Sequence, residues 1–312
     1  MNKVIKDITN VYKNLTNFGK ILLFLAVLLI VIVFFRNSRK NEMIIEGYEQ
    51  NDNFVFKTGP DVYDEFYATI YDNLVFNKLK DDFETTQIIN NTSASSNSVI
   101  LDVGSGTGHH VARLADKGFN ILGIDISPSM VNIAKKNYPQ YNFQLGDVLN
   151  NTEFNSNTFT HILCLYFTIY YMKNKIQFFN NCIDWLMPGG YLVLHLVDRN
   201  KFDPILPPGN PLYIVSPQKY AKERITKTKI TFNDFVYNSN FSLDNNNNTA
   251  VFEEKFKFKN GKTRKQEQVL YMDDINDILN MATDAGFLIQ GKIDLVQCAY
   301  EHQYLYLLTK PT

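Results

Sequence analysis

Three glycines alternate at Gly104, Gly106 and Gly108, directly after the apolar run Val99 to Val103. Glycine at alternate positions lets a backbone turn tightly and approach a ligand with no Cβ in the way. The helical stripe of Val111, Leu114 and Ala115 follows, so the turn aims amide N–H groups and a helix N-terminus at any polar group there. A second apolar run, Asn120 to Asp125, ends in an acid placed where the two hydroxyls of a nucleoside ribose would be held. The dinucleotide fingerprint needs its third glycine at position 109. His109 stands there instead.

The spacing G-x-G-x-G preceded by Asp102 resembles motif I of the class I S-adenosylmethionine-dependent methyltransferases. The resemblance implies that Asp102, Gly104, Ser105, Gly106 and Gly108 surround the amino-acid end of the cofactor. It also implies that Asp125 holds the ribose with Ile126 beside it, and that Asp147 and Val148 meet the adenine. A leading helix in that family closes over the cofactor. The tyrosines of 63–71, Tyr67 foremost, stand where one would face the sulfonium by a cation–π contact. Pro188-Gly189-Gly190 also fits the family's pattern.

These residues need a scaffold, and the sequence supplies an alternating one. Strands are expected over Val99–Val103, Asn120–Asp125, Tyr141–Leu145, Phe159–Leu165 and Tyr191–Val197, with helices between. Ser127-Pro128 is a helix start and Gly118 a helix end. Asp273 is read as the cap of a late helix, and Phe287–Leu295 and Gln303–Leu308 as closing strands. The fold expected is a doubly wound seven-stranded Rossmann-like α/β sheet. The region 200–271 interrupts it as a β-rich, substrate-side insertion with strands at Lys229–Tyr237 and Ala250–Lys259. Asn260-Gly261 reads as a type I′ hairpin turn. Lys255, Lys257, Lys259, Lys262, Arg264 and Lys265 around it read as a solvated face, or as a tip leaning on anionic headgroups.

Methyl transfer from a sulfonium needs alignment more than a dedicated dyad. Tyr170, Tyr171 and His195 are the candidates for the acceptor pocket, from their positions after or within strands. A core role suits His195 and a structural role suits His109 and His110. No cluster of His, Cys and carboxylates has metal-ligand spacing. The three cysteines, Cys164, Cys182 and Cys298, are too scattered for a disulfide framework.

The net charge of −1 argues against global attraction to nucleic acid. The stretch 18–35 carries an unbroken apolar run from Ile21 to Phe35 and reads as a single-pass transmembrane helix. Residues 1–17 form a polar segment, 36–60 a linker and 61–312 the methyltransferase domain, placed on the cytosolic side by the flanking Arg36, Arg39 and Lys40. The acceptor expected is a small molecule, a lipid or a membrane-adjacent group. Two alternatives stay open: a non-catalytic membrane scaffold on this fold, and a nicotinamide-dependent oxidoreductase.

Overall fold

The computed structural model describes residues 16–40, 52–209 and 216–312. Most of the polar segment 1–17, much of the linker 36–60, and Pro211 lie outside the described residues. The chain divides into two compact units, Met1–Tyr48 and Glu49–Thr312.

The first unit contains helix α1 (Asn17–Lys40). Thr16 opens it, accepting at Oγ1 from the Gly19 N–H at 3.1 Å. Phe18 and the run Ile21 to Leu25 are exposed. Side chains at Ile30 and at 32–40 are outside the description. Among the described residues, no helix is long and apolar enough to cross a membrane.

The second unit is built on two sheets. The larger runs in the order β11–β12–β6–β5–β2–β3–β4. Its strands are β2 (Val99–Val103), β3 (Asn120–Asp125), β4 (Asn142–Leu145), β5 (Phe159–Cys164), β6 (Leu186–Val197), β11 (Leu288–Asp294) and β12 (Gln303–Thr309). The first five pair in parallel. β12 lies antiparallel to both β6 and β11. Helices cover both faces of the parallel strands, so β2, β5 and β6 read as near-continuous apolar runs. Ile100, Leu101, Ile162, Leu163, Leu192, Val193 and Leu194 are fully buried there. The chain runs from β2 outward through β3 and β4 on one side, then crosses back to β5 and β6 on the other side of β2. The carboxyl ends of β2 and β5 therefore flank a topological switch point, where open α/β sheets bind ligands.

The covering helices start and stop as their termini dictate. α4 (His109–Asp116) begins at Gly108 and is followed by Gly118, which sits at φ +88°. α5 (Pro128–Asn137) is capped by Ser127, whose Oγ accepts from the Met130 N–H. The leading residues form two helices, α2 (Glu65–Val75) and α3 (Lys78–Asn91), separated at Asn77, which caps the second. α3 thus extends into the stretch 89–98, whose composition suggests a loop. α6 (Thr168–Tyr171) and α7 (Lys175–Trp185) follow β5, and α8 (Ile275–Asp284) precedes β11.

The smaller sheet has the order β1–β10–β9–β8–β7. Four strands lie in the insertion: β7 (Lys227–Thr231), β8 (Phe235–Asp244), β9 (Thr249–Phe258) and β10 (Thr263–Tyr271). The fifth, β1 (Phe54–Thr58), comes from the segment expected to be linker and pairs in parallel with β10. Its alternating apolar residues are too few to signal a strand before β10 offers an edge. The single strand expected over Lys229–Tyr237 is two, reversed at Phe232 to Asp234. The hairpin at Asn260-Gly261 is a three-residue loop closed by Phe258 N–H to the Lys262 carbonyl at 3.0 Å, and only Gly261 takes positive φ there. A type I′ turn needs two such residues. Asp273 does not cap α8. Asp274 occupies that position, and Asp273 instead accepts from Lys175 at 2.8 Å.

Candidate functional site

At the end of β2 the backbone turns with Gly104, Gly106 and Gly108 at φ +67°, +53° and +91°. Only glycine adopts these angles without strain. The Gly104 and Ser105 N–H groups donate to the Ile124 carbonyl at 2.8 and 3.0 Å, pinning the loop to the end of β3. Asp125 closes β3 and completes the pinning. Its Oδ2 accepts from the Gly106 N–H at 2.9 Å and its Oδ1 from the Ser127 N–H at 2.8 Å. Burial raises the Asp125 carboxyl pKa against the opposing pull of these amides. Each oxygen keeps a second lone pair for a ribose hydroxyl.

Around this loop the structure brings together most of the residues singled out in the sequence. Ile126 is 55% exposed beside Asp125, and exposed Leu145 ends the neighbouring strand. Gly146 donates to the Asp125 carbonyl at 3.1 Å, which sets Asp147 next to that acid. The Asp147 Oδ1 accepts from the Leu149 N–H. Val148 is core, and its carbonyl accepts from Asn181. Asp102 lies behind the loop, where burial pushes its carboxyl up to about 7.

Tyr67 is placed differently from expectation. It is buried, and its hydroxyl donates to Glu254 of β9 at 3.0 Å. The tyrosine nearest the glycine loop is Tyr71. A Cβ added at Gly106 would stand 3.9 Å from the Tyr71 Cε1, with nothing closer. Tyr63, Tyr67, Tyr71 and Tyr171 pack edge-on or tilted, with ring centroids 5.6–6.4 Å apart. The spacing 63-67-71 already puts three of them on one helical face. Glu254 with its partners Tyr237 and Gln266, and Gln268, which accepts from the Tyr63 hydroxyl at 3.1 Å, had no such signal. In an alternating strand, buried polar residues look like any outward set until the partner face is known. Arg264, grouped with the solvated lysines, also points inward and pairs with Asp64 at 2.7 Å.

Tyr170 and His195 are both fully buried. The Tyr170 hydroxyl accepts from the Val197 N–H at 2.8 Å. His195 is held between the Tyr166 carbonyl and Gln303, and burial lowers its pKa to about 4. Both are packing residues. His109 is wedged structurally, stacked on Phe76 and bonded to Asp72 and Tyr138.

Beneath the loop, α3 and α4 share a buried ionic cluster. Lys80 meets Glu84 at 2.6 Å and lies 3.6 Å from the centre of the Tyr166 ring. His110 approaches Glu84 at 3.3 Å and Asp81 at 3.9 Å. Asp81, Glu84 and His110 offer donors within 4.8 Å of one another, a grouping with the makings of a metal site. The Lys80 ammonium stands beside Glu84, so the cluster already carries its own cation. Burial opposes the charge on His110, but Asp81, Glu84 and Asp102 outweigh it and hold the pKa up at about 9. A raised folded pKa stabilises the fold below the unfolded value and stops doing so above the folded one. The melting temperature should therefore fall as pH rises from about 6.5 through about 9. In His110→Gln that part of the decline should disappear, as calorimetric scans across this range would record.

The donor set suits S-adenosylmethionine. A side chain at Gly106 would occupy the space below Tyr71, an acid stands at the ribose position, exposed Ile126 offers a flat apolar face, and His109 stands where a dinucleotide fingerprint has its third glycine. Residues 100–190 match the methyltransferase domain family. The phosphoethanolamine N-methyltransferase of Plasmodium falciparum is 32% identical over 115 residues, 35% of this chain and 43% of that protein. The chain thus spans less than half the length of that relative. Among solved structures, the CcbJ methyltransferase from Streptomyces caelestis aligns with TM-score 0.61 at 15% identity, covering 80% of this chain and 98% of its own. An S-adenosylmethionine-dependent methyltransferase from Clostridium acetobutylicum aligns with TM-score 0.57 at 18% identity, covering 79% and 98%. The chain thus has the fold of solved S-adenosylmethionine-dependent methyltransferases, and the stretch 100–190 that matches the methyltransferase domain family spans the glycine loop, Asp125 and Asp147.

Proposed function

We propose that this chain is an S-adenosylmethionine-dependent methyltransferase acting on a small-molecule or lipid acceptor, anchored to a membrane through residues 18–35. The observation that carries the enzymatic reading is the pinning of the glycine loop by Asp125, with Tyr71 closing over Gly106. When bound, the cofactor supplies an electrophilic methyl on a sulfonium. The glycine loop accommodates its amino-acid end, Asp125 the ribose, and Ile126 and Asp147 the base. Tyr63, Tyr71 and Tyr171 wall the reacting end and exclude water, so alignment does most of the catalytic work.

The anchor rests on sequence: the apolar run Ile21 to Phe35 inside the 24-residue helix α1, flanked by Arg36, Arg39 and Lys40. Cross-strand register supports the same reading from the other unit. Lys255, Lys257 and Lys265 share the outer face of the smaller sheet with exposed Phe54 and Phe56, a composition suited to an anionic leaflet.

Incubating the full chain with methyl-labelled S-adenosylmethionine and a mixed lipid and metabolite extract should yield a labelled product. Labelled product from the native chain but not from Asp125→Ala supports the enzyme. Cofactor binding without transfer to any fraction would favour the scaffold.

A further inference from the structure

Tyr71 stands over the glycine turn with its ring against Tyr63 and Tyr67, centroids 6.4 and 5.9 Å away. Ring contacts of this kind contribute about 0.5–1.5 kcal/mol each. Where Tyr71 stands above Gly106 is therefore decided by what holds α2.

Two ties fix α2 and its approach to the cofactor loop. At one end the Ser127 hydroxyl donates to the Tyr63 carbonyl at 2.7 Å, two residues from Asp125. At the other stands Asp72, the residue after Tyr71. Its Oδ1 accepts from the Thr107 hydroxyl at 2.6 Å, and its Oδ2 lies 2.9 Å from His109 Nε2. Thr107 sits between Gly106 and Gly108, and His109 is the first residue of α4. The Asp72 carboxylate thus bridges α2 to the glycine turn itself. Hydrogen bonds to a carboxylate are short and about twice as strong as neutral ones.

His109 is held for this task. Its ring stacks on Phe76 at 3.9 Å, and its Nδ1 lies 2.8 Å from the Tyr138 hydroxyl. With the proton on Nε2, the ring donates to Asp72 and accepts from Tyr138. The residue that departs from the dinucleotide fingerprint is therefore the one that receives α2.

We propose that Asp72 is a positioning residue for the cofactor: through Thr107 and His109 it locks α2 to the glycine turn and keeps Tyr71 seated over Gly106. This rests on the methyltransferase reading above and assigns what holds its site closed. Alignment is most of the catalytic work, so a wall that shifts by an ångström matters. With the lock gone, the carboxyl end of α2 lifts and a bound cofactor leaves past Tyr71.

The test follows release of S-adenosylhomocysteine from the full chain by stopped-flow displacement. Asp72→Ala is expected to speed release about tenfold and to change the association rate by less than about threefold. Tyr71→Leu should speed release to a similar degree. The double variant should add little to either alone, because one residue acts through the other. Asp72→Asn should restore most of the native rate. Its oxygen still accepts from Thr107, and its amide donates to His109 Nε2 once the ring takes its other tautomer. Thr107→Val, which removes one of the two bonds at constant shape, should give an intermediate rate and serves if Asp72→Ala does not fold. Arg113→Ala cuts the ties of α4 to Asp81 and Asp82 on α3 instead, and should leave release unchanged even where it lowers the melting temperature. Native release rates in Asp72→Ala or Thr107→Val, additive effects in the double variant, or equal acceleration in Arg113→Ala overturn the role of Asp72 alone. A native chain that binds no S-adenosylhomocysteine overturns the cofactor reading instead.

Discussion

Alanine at Lys80 is expected to destabilise the folded domain by about 3–5 kcal/mol, the cost of leaving a buried charge unpaired. Lys80 is 1% exposed and Glu84 is fully buried. Burial alone would push the Glu84 carboxyl up, yet Lys80 above all, with His110, holds it down at about 2. Removing the ammonium leaves Glu84 and Asp81 facing each other with His110 and, 3.7 Å from Asp81, Arg113 as their cations. It also removes the charge resting on the Tyr166 ring. Tyr166 sits at φ +51°, a conformation costly for a bulky residue, and its hydroxyl donates to Asp81 at 2.5 Å. The cluster therefore holds the end of β5 in shape as well as joining α3 to α4. Urea unfolding of Lys80→Ala should show a strongly lowered midpoint. The double variant Lys80→Met with Glu84→Leu should recover much of it, because apolar replacement of both partners strands no charge. A loss below about 1 kcal/mol in the single variant would mean that the pair is not buried as described.

Valine at Gly104 is expected to weaken S-adenosylhomocysteine binding on the order of 100-fold, or about 2.7 kcal/mol. Two effects combine. At φ +67° any β-branched side chain is strained by about 1–3 kcal/mol. Its Cβ would also stand 2.6 Å from Cγ2 and 2.7 Å from Oγ1 of Thr168, forcing apart the loops after β2 and β5. Such crowding adds about 1–3 kcal/mol. The strain acts where the cofactor would lie, so binding should suffer more than the fold. Gly118→Ala is the matched control. It has φ +88° but nothing within 4 Å of the added Cβ, so it should lose a little stability and no affinity. Equal affinity in Gly104→Val and the native chain would remove the glycine loop from the site.

The glycine turn and its pinning by Asp125 are legible in the sequence because both are local. Gly104 to Gly108, Asp125 and Ser127 lie at strand ends whose geometry follows from the parallel alternation itself. The tyrosine cluster around Glu254 is assembled from distant segments. Tyr63 and Tyr71 come from the approach to β2, Tyr171 from beyond β5, and Glu254 from the insertion, 187 residues from its partner Tyr67. No periodicity reports a contact over that distance. The same reason explains β1, which becomes a strand only because β10 offers an edge. Position after or within a strand does not reveal which face is filled, and His195 and Tyr170 are both fully buried and hydrogen-bonded, to Gln303 and to the Val197 N–H.

The most direct test of the central claim is calorimetric titration of the full chain with S-adenosylhomocysteine, with NAD in parallel and Asp125→Ala as the control. The account predicts micromolar binding of S-adenosylhomocysteine, none of NAD, and loss of binding in a variant that remains folded. NAD binding, or S-adenosylhomocysteine binding that survives Asp125→Ala unchanged, would contradict it.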